Sequence, residues 1–224
     1  MPHMRRIHLA VIATLALALI LPAAAPATLA EVGVIGETTP ASTPSCPATP
    51  CLAVSRTTGF QVKVATARNL ESAPRAGTIV AWTITLGKPN ATQIKFFNAN
   101  EGGPSEAGIA ILRAQKTPNL TYKLIAQSPT VKLEPYFGKT AQFALETTIP
   151  VKKGDVVALT VPSWAPALAL GFGNDTSWRA SRQKAGCTST SSQTTQTTVA
   201  SAVQYYCLYQ TARLTYSATL VSTP

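Results

Sequence analysis

The chain of 224 residues holds two histidines, His3 and His8, and both precede an apolar run near the N-terminus. Everything after that run lacks the commonest general base, the commonest metal ligand and the side chain that titrates near pH 7. Serine and threonine are abundant, but no imidazole can activate them and no GxSxG elbow occurs. A serine–lysine dyad is the nucleophilic option that remains. Carboxylates are the second route, because two at the right separation suffice for glycoside hydrolysis. Nine acidic residues are spread along the chain, and no strand motif such as ExDxxE places them on one face. We therefore expect no enzyme, with no catalytic residues and no cofactor. A carboxylate-based glycoside hydrolase is the lesser alternative.

Two loops carry oxygen donors: Asn98, Asn100, Glu101 and Glu106 in NANEGGPSE, and Asn174 with Asp175 in GFGNDTS. Calcium takes six to eight such oxygens, but neither loop has a recognised spacing. Turn chemistry, in which Asn and Asp satisfy local backbone, is the expectation, with no metal ligands.

The aromatics say more. Trp82 falls on the apolar face of a strongly alternating segment and is expected in the core. Trp164 lies between two prolines in PSWAP and is expected on a loop. Trp178 follows GFGNDTS. Trp164 and Trp178, with Asn174, Asp175 and Arg179 beside them, are the candidate ligand-binding residues. Exposed rings would stack on apolar sugar faces while the polar groups give direction. The competing reading is that these rings fold back and cap the domain.

The elements around these residues begin with a leader. Met1–His8 carries Arg5 and Arg6, Leu9–Leu21 is apolar, and PAAAPATLA follows. These are the three regions of a secretory signal peptide. Cleavage after Ala30 puts Thr28 and Ala30 at the −3 and −1 positions. Ala25 and Ala27 provide a second site. The apolar run is short for a spanning helix, and no later segment would cross a membrane, so an exported chain with no transmembrane segment is expected. We divide the sequence into a signal peptide at 1–30, an extended linker-like segment at 31–50, rich in Pro, Thr and Ser, and one domain at 51–224.

Removing Arg5 and Arg6 leaves seventeen basic against nine acidic residues, and the formal charge falls from +10 to +8. The basic residues are dispersed. Lys152–Lys153 is the one adjacent pair after the leader, and Arg179, Arg182 and Lys184 the one local cluster. Nucleic acid would want a stripe, so no nucleic-acid partner is expected. Attraction to an anionic cell-wall polymer or polysaccharide suits the charge better.

Four cysteines in an exported chain read as two disulfides. Three pairings are possible. The preferred one is Cys46–Cys51, closing CPATPC, with Cys187–Cys207, closing a loop rich in Ser, Thr and Gln. Zinc is disfavoured, with no CxxC and no histidine after the leader.

From Cys51 onward, short alternating segments are separated by Gly, Pro and Asn clusters. Alternation is clearest in Phe60–Val64, Gly77–Leu86, Asp155–Val161 and Ala212–Leu220. Weaker strands are read at Gln93–Asn98, Gly108–Gln115, Thr121–Gln127, Ala141–Leu145, Ala167–Phe172, Ser177–Ser181 and Gln204–Tyr209. No segment shows a strong helical stripe. The expected fold is all-β: a two-sheet antiparallel β-sandwich, jelly-roll-like, of about ten short strands.

The segment IPVKKGDVVALTVP is similar to the turn-and-strand of many jelly-roll domains. With TGFQV, GTIVAWTITL, FGKTAQF, VKKGDVVALTVPSWAPALA, SWRASR and ARLTYSATL, it makes most of the chain resemble uncharacterised secreted proteins of actinobacteria. That resemblance implies a β-sandwich and export, and transfers no functional residue. The expected function is a secreted, non-catalytic module that binds carbohydrate or a cell-surface polymer. The main alternative is an envelope-associated structural protein acting through its basic surface.

Overall fold

The computed structural model describes residues 27–34, 42–188 and 194–222. The charged and apolar parts of the expected leader lie outside these residues. The first strands are β1 (Thr28–Val32), β2 (Val54–Val64), β3 (Ala67–Arg68) and β4 (Gly77–Thr85), followed by one helix, α1 (Ala91–Asn100). Then come β5 (Glu106–Ala114), β6 (Thr121–Gln127), β7 (Val131–Lys132), β8 (Thr140–Val151), β9 (Val156–Ala165), β10 (Leu168–Leu170) and β11 (Ser177–Ala180). The last four are β12 (Ala202–Gln204), β13 (Cys207–Gln210), β14 (Ala212–Leu214) and β15 (Tyr216–Ser222).

One sheet has the order β1-β15-β4-β8. The larger sheet runs β12-β6-β5-β9-β2-β11-β13, with β3 paired to β2 and β7 to β5. All pairings are antiparallel. Counted in chain order, the eight principal strands β1, β2, β4, β5, β6, β8, β9 and β15 give 1-8-3-6 against 2-7-4-5. These are the two interlocked Greek keys of a jelly roll. β11 and β13 extend the larger sheet beyond β2, and β12 extends it beyond β6.

The main core lies between the sheets. Ile79, Trp82 and Ile84 of β4 and Tyr216 and Leu220 of β15 meet Ile109 and Ile111 of β5 and Val157, Leu159 and Val161 of β9. The period-two reading of β15 thus points the right side chains inward. In β4 it does so for Trp82 and Ile84, and for Leu86 just past its end, with Trp82 fully buried as expected, but a bulge between Ile79 and Ala81 puts Ile79 rather than Val80 in the core. A second apolar cluster covers the other face of the larger sheet, built from Phe60, Ala110, Leu112, Leu124, Val156, Ala158 and Tyr205.

Three expectations change. Gln93–Asn98 is helix, not strand. Asn90 is the N-cap of α1, and its side chain accepts from the Gln93 amide while the Gln93 side chain accepts from the Asn90 amide. This capping box starts a helix with no strong apolar stripe. In Phe60–Val64 the apolar face is not the inter-sheet face. Phe60 and Val62 point outward, and buried Gln61 points in, accepting from the Leu214 amide at 3.0 Å and donating to the Ala212 carbonyl at 3.3 Å. One amide thus serves backbone groups of β14, just before the chain crosses into the smaller sheet. Finally, β1 runs through the boundary expected at residue 30. Of the linker-like segment, residues 35–41 lie outside the described residues and the rest is tied down. Val32 is in the core, Pro44 bridges Ala169, and the Ser45 amide donates to Leu168.

The disulfides are Cys46–Cys51 and Cys187–Cys207, the preferred pairing. The second closes a strap whose described part, Thr194–Cys207, lies over half of the larger sheet's outer face. Among the described residues, no helix is long and apolar enough to cross a membrane.

Candidate ligand-binding cleft

The two tryptophans expected to form an exposed platform do not form one. Trp164 is inside β9 rather than on a loop, and is fully buried. Its ring stacks on Phe97 of α1 at 4.7 Å, with Phe137 at 5.5 Å. Its Nε1–H donates to Asn98 Oδ1 at 2.8 Å and to the Gly103 carbonyl at 3.0 Å. Trp178 is also buried, with Tyr209 at 4.8 Å. Gly59 leaves the slot that accepts it, since a Cβ there would lie 2.9 Å from the Trp178 ring. Both rings cap the sandwich, as large aromatics do when a neighbouring face is free.

The oxygen-rich loops are occupied by the same packing. Asn98 is committed to Trp164, Asn100 donates to the Phe96 carbonyl, and Glu101 pairs with Arg56 at 3.1 Å. Asn174 and Asp175 are exposed at the turn before β11. They are not brought together with either tryptophan side chain in a common surface. Ser181-Arg182-Gln183-Lys184 has the S-x-x-K spacing, but it builds no dyad. The Ser181 hydroxyl is buried, accepts from the Thr58 amide and donates to Thr194, while Lys184 is exposed over the Tyr206 ring.

One cleft has Arg179 in its lining and none of the other four candidates. The cleft measures about 400 Å³ and opens on the outer face of the larger sheet. Phe60 and Val62 of β2, Tyr122 of β6 and Val156 of β9 provide its apolar surface, with Leu120 beside them. Asn69 and Ser72 add polar groups after β3, and Arg179 stands on β11. The pleat explains this division. Trp178 points between the sheets, so its neighbour Arg179 must point outward.

The aromatic part is a braced cluster. Phe60 and Tyr122 meet edge to face at 5.1 Å, Tyr122 and Tyr205 at 5.2 Å, and Phe60 lies 5.5 Å from Tyr205. Tyr205 is fully buried, and its hydroxyl donates to Gln196 Oε1 at 2.7 Å. The Gln196 backbone amide in turn donates to the Thr58 hydroxyl oxygen at 3.1 Å, and that hydroxyl meets the one of Thr160 at 2.9 Å. The strap therefore fills one half of the face and leaves Tyr122, half-buried, as the ring at the cleft's edge.

Charge in the cleft is one-sided. Arg179 spends Nη1 on the Tyr205 and Tyr206 carbonyls, at 3.2 and 2.8 Å. Its Nε–Nη2 edge makes no hydrogen bond, and its guanidinium no ion pair, among the described residues. Burial raises the Tyr122 phenol, against the pull of the Arg179 charge. The lining contains one carboxyl, Glu71. Burial pushes it up to about 8, against the Arg213 charge and the Gln61 backbone amide, which pull it down. At pH 7 the lining thus carries the Arg179 charge and a neutral carboxyl. Hydrolysis by paired carboxylates would need a second acid, and the nearby Asp155 is held by Arg113 through two hydrogen bonds of 2.7 Å.

Phe60 and Val62 are not recognisable as surface-forming from periodicity, which puts the apolar face of β2 in the core, and Tyr122 stands in β6, a strand of weak alternation. The signal available was Gln61, a polar residue flanked by apolar ones whose own face proves to be the buried one. Comparison with protein families, with curated proteins and with solved structures returned no match for the chain.

Proposed function

We propose that this chain is a secreted, non-catalytic jelly-roll module that holds a carbohydrate in the outer-face cleft, and that the preferred sugar carries a carboxylate. The observation that supports this reading is one cleft pairing the Tyr122 ring with the unspent guanidinium edge of Arg179. A sugar's C–H face packs on an aromatic ring, and its hydroxyls suit Asn69 and Ser72. The Nε–Nη2 edge of an arginine matches a carboxylate with two parallel hydrogen bonds. Glu71, neutral at pH 7, does not repel such a group. Two disulfides fit an oxidising compartment.

The test is calorimetric titration with a short galacturonate oligomer and the matching neutral galactose oligomer. The galacturonate should bind at least about tenfold more tightly, a difference of ~1.4 kcal/mol. Arg179→Gln should erase that preference, and Tyr122→Ala should weaken both ligands. Equal affinities would overturn the carboxylate preference and leave the carbohydrate reading standing. Binding of neither oligomer would overturn the carbohydrate reading itself.

A further inference from the structure

The leader's end offers two cutting points that sequence alone does not separate. Ala25 and Ala27 are small residues at −3 and −1 for a cut before Thr28. Thr28 and Ala30 serve equally for a cut before Glu31. The fold separates them.

Thr28–Val32 is the first strand of the jelly roll, paired in register with β15 from Thr28↔Ser222 to Val32↔Ala218. Its first residue is tied down by side-chain hydrogen bonds as well as by register. The Thr28 hydroxyl lies 2.6 Å from that of Ser222, whose Oγ also donates to the Thr28 carbonyl at 3.2 Å. Arg75 donates to the same Thr28 hydroxyl at 3.2 Å. Ser222 is buried. Ala30 packs on the core and Val32 is part of it. A cut after Ala30 would remove three of the five paired residues. It would leave the Ser222 hydroxyl without its Thr28 partners and open much of β15 as a free sheet edge, which proteins avoid.

We infer that the bond cut on export is Ala27–Thr28, so that the released chain begins with an intact β1. The inference rests on the leader reading and is independent of the proposed ligand. Water adds across this amide, leaving a carboxylate on Ala27 of the leader and a free amino group on Thr28. The enzyme class is a signal peptidase that accepts small side chains at −3 and −1.

The experiment exports the whole precursor from a bacterial host and reads the N-terminus of the protein in the medium by intact mass and terminal sequencing. Thr-Leu-Ala-Glu is expected as the start. Ala27→Leu should block or displace processing, whereas Ala30→Leu should leave the Thr28 terminus unchanged. A start at Glu31, or processing blocked by Ala30→Leu and untouched by Ala27→Leu, would overturn the assignment. Retention of the leader on every exported molecule, or no export, would overturn the leader reading beneath it.

Discussion

The two faces of the larger sheet are both apolar, yet they are finished differently. The inner face meets β4 and β15 and closes completely, with Ile109, Ile111, Leu159 and Val161 fully buried. The outer face has no second sheet. Half of it is covered by the Cys187–Cys207 strap, through Tyr205, Gln196 and their bonds to Thr58. The other half is the cleft. A face that must be apolar for packing can therefore leave a ready-made binding surface where its cover stops. The proposed ligand site is unfinished core with one guanidinium set into it.

The largest effect that would sharpen this contrast is expected from Leu159→Ala on the inner face. It should lose about 2–5 kcal/mol in chemical denaturation, because a closed interior cannot collapse around the cavity. Val62→Ala in the cleft should cost about 1 kcal/mol or less, since Val62 is half-exposed already. Equal losses would mean that the outer face is as closed as the inner one.

Next in size is the strap. Replacing both Cys187 and Cys207 by serine frees a loop of 20 residues in sequence separation and should cost on the order of 3 kcal/mol. The same variant should bind an apolar dye at native pH, because Phe60, Leu112 and Leu124 lose their cover. Lower stability without dye binding would show that the crosslink acts on the unfolded chain alone and that the strap is not the cover.

How much of this was legible follows from which faces each strand buries. β4 and β15 bury one face, so the run from Leu214 to Leu220 and the Trp82–Leu86 part of β4's segment alternate legibly, while the bulge that swaps Ile79 for Val80 leaves no mark in the pattern. β5 and β9 are both buried on two faces: Gly108–Leu112 reads as a near-continuous apolar run in which the inner side is not marked, whereas the alternation of Val157, Leu159 and Val161 in β9 does mark it. The disulfides were legible from spacing and composition. Helix α1 was not, because its start depends on the Asn90–Gln93 capping box rather than on a stripe. Trp164 was misplaced because two prolines suggested a turn, whereas Pro162 lies within β9 and Pro166 follows its end, so that the residues between them continue the strand beneath α1. Arg179 was singled out from its neighbours Trp178 and Asp175, although what the proposed site draws on is its place in one cleft with Tyr122, four strands away from β11 in the sheet order and far away in sequence.

Glu71 joins the two faces and gives the smallest and most specific test. It lines the cleft, while its carboxyl is buried toward the other layer, with Oε2 against Gly33 and lacking a hydrogen-bond partner. The charged or titratable groups acting on it are Arg213 of β14 and Tyr216 of β15. Folded, Glu71 titrates near 8; unfolded, near the ordinary 4.5. Below 4.5 both states hold the proton and there is no penalty. Between 4.5 and 8 the folded chain keeps a proton that the unfolded chain releases, so stability falls as pH rises, and above 8 the loss is complete. Asp155 has the opposite sign. Burial raises it, but the hydrogen bonds from Arg113 and the Lys152 amide prevail and hold it below the ordinary carboxylate range. Its contribution is therefore full above that range and is lost only as pH falls through it, leaving the interval from pH 6 to 7 to Glu71. Across that interval the wild-type chain should lose up to about 1.4 kcal/mol that Glu71→Gln retains, read as the difference in their denaturation midpoints. Parallel curves for the two chains would place an ionised Glu71 at pH 7. The cleft lining would then hold a carboxylate as well as Arg179, and the proposed preference for an acidic ligand would lose its electrostatic basis.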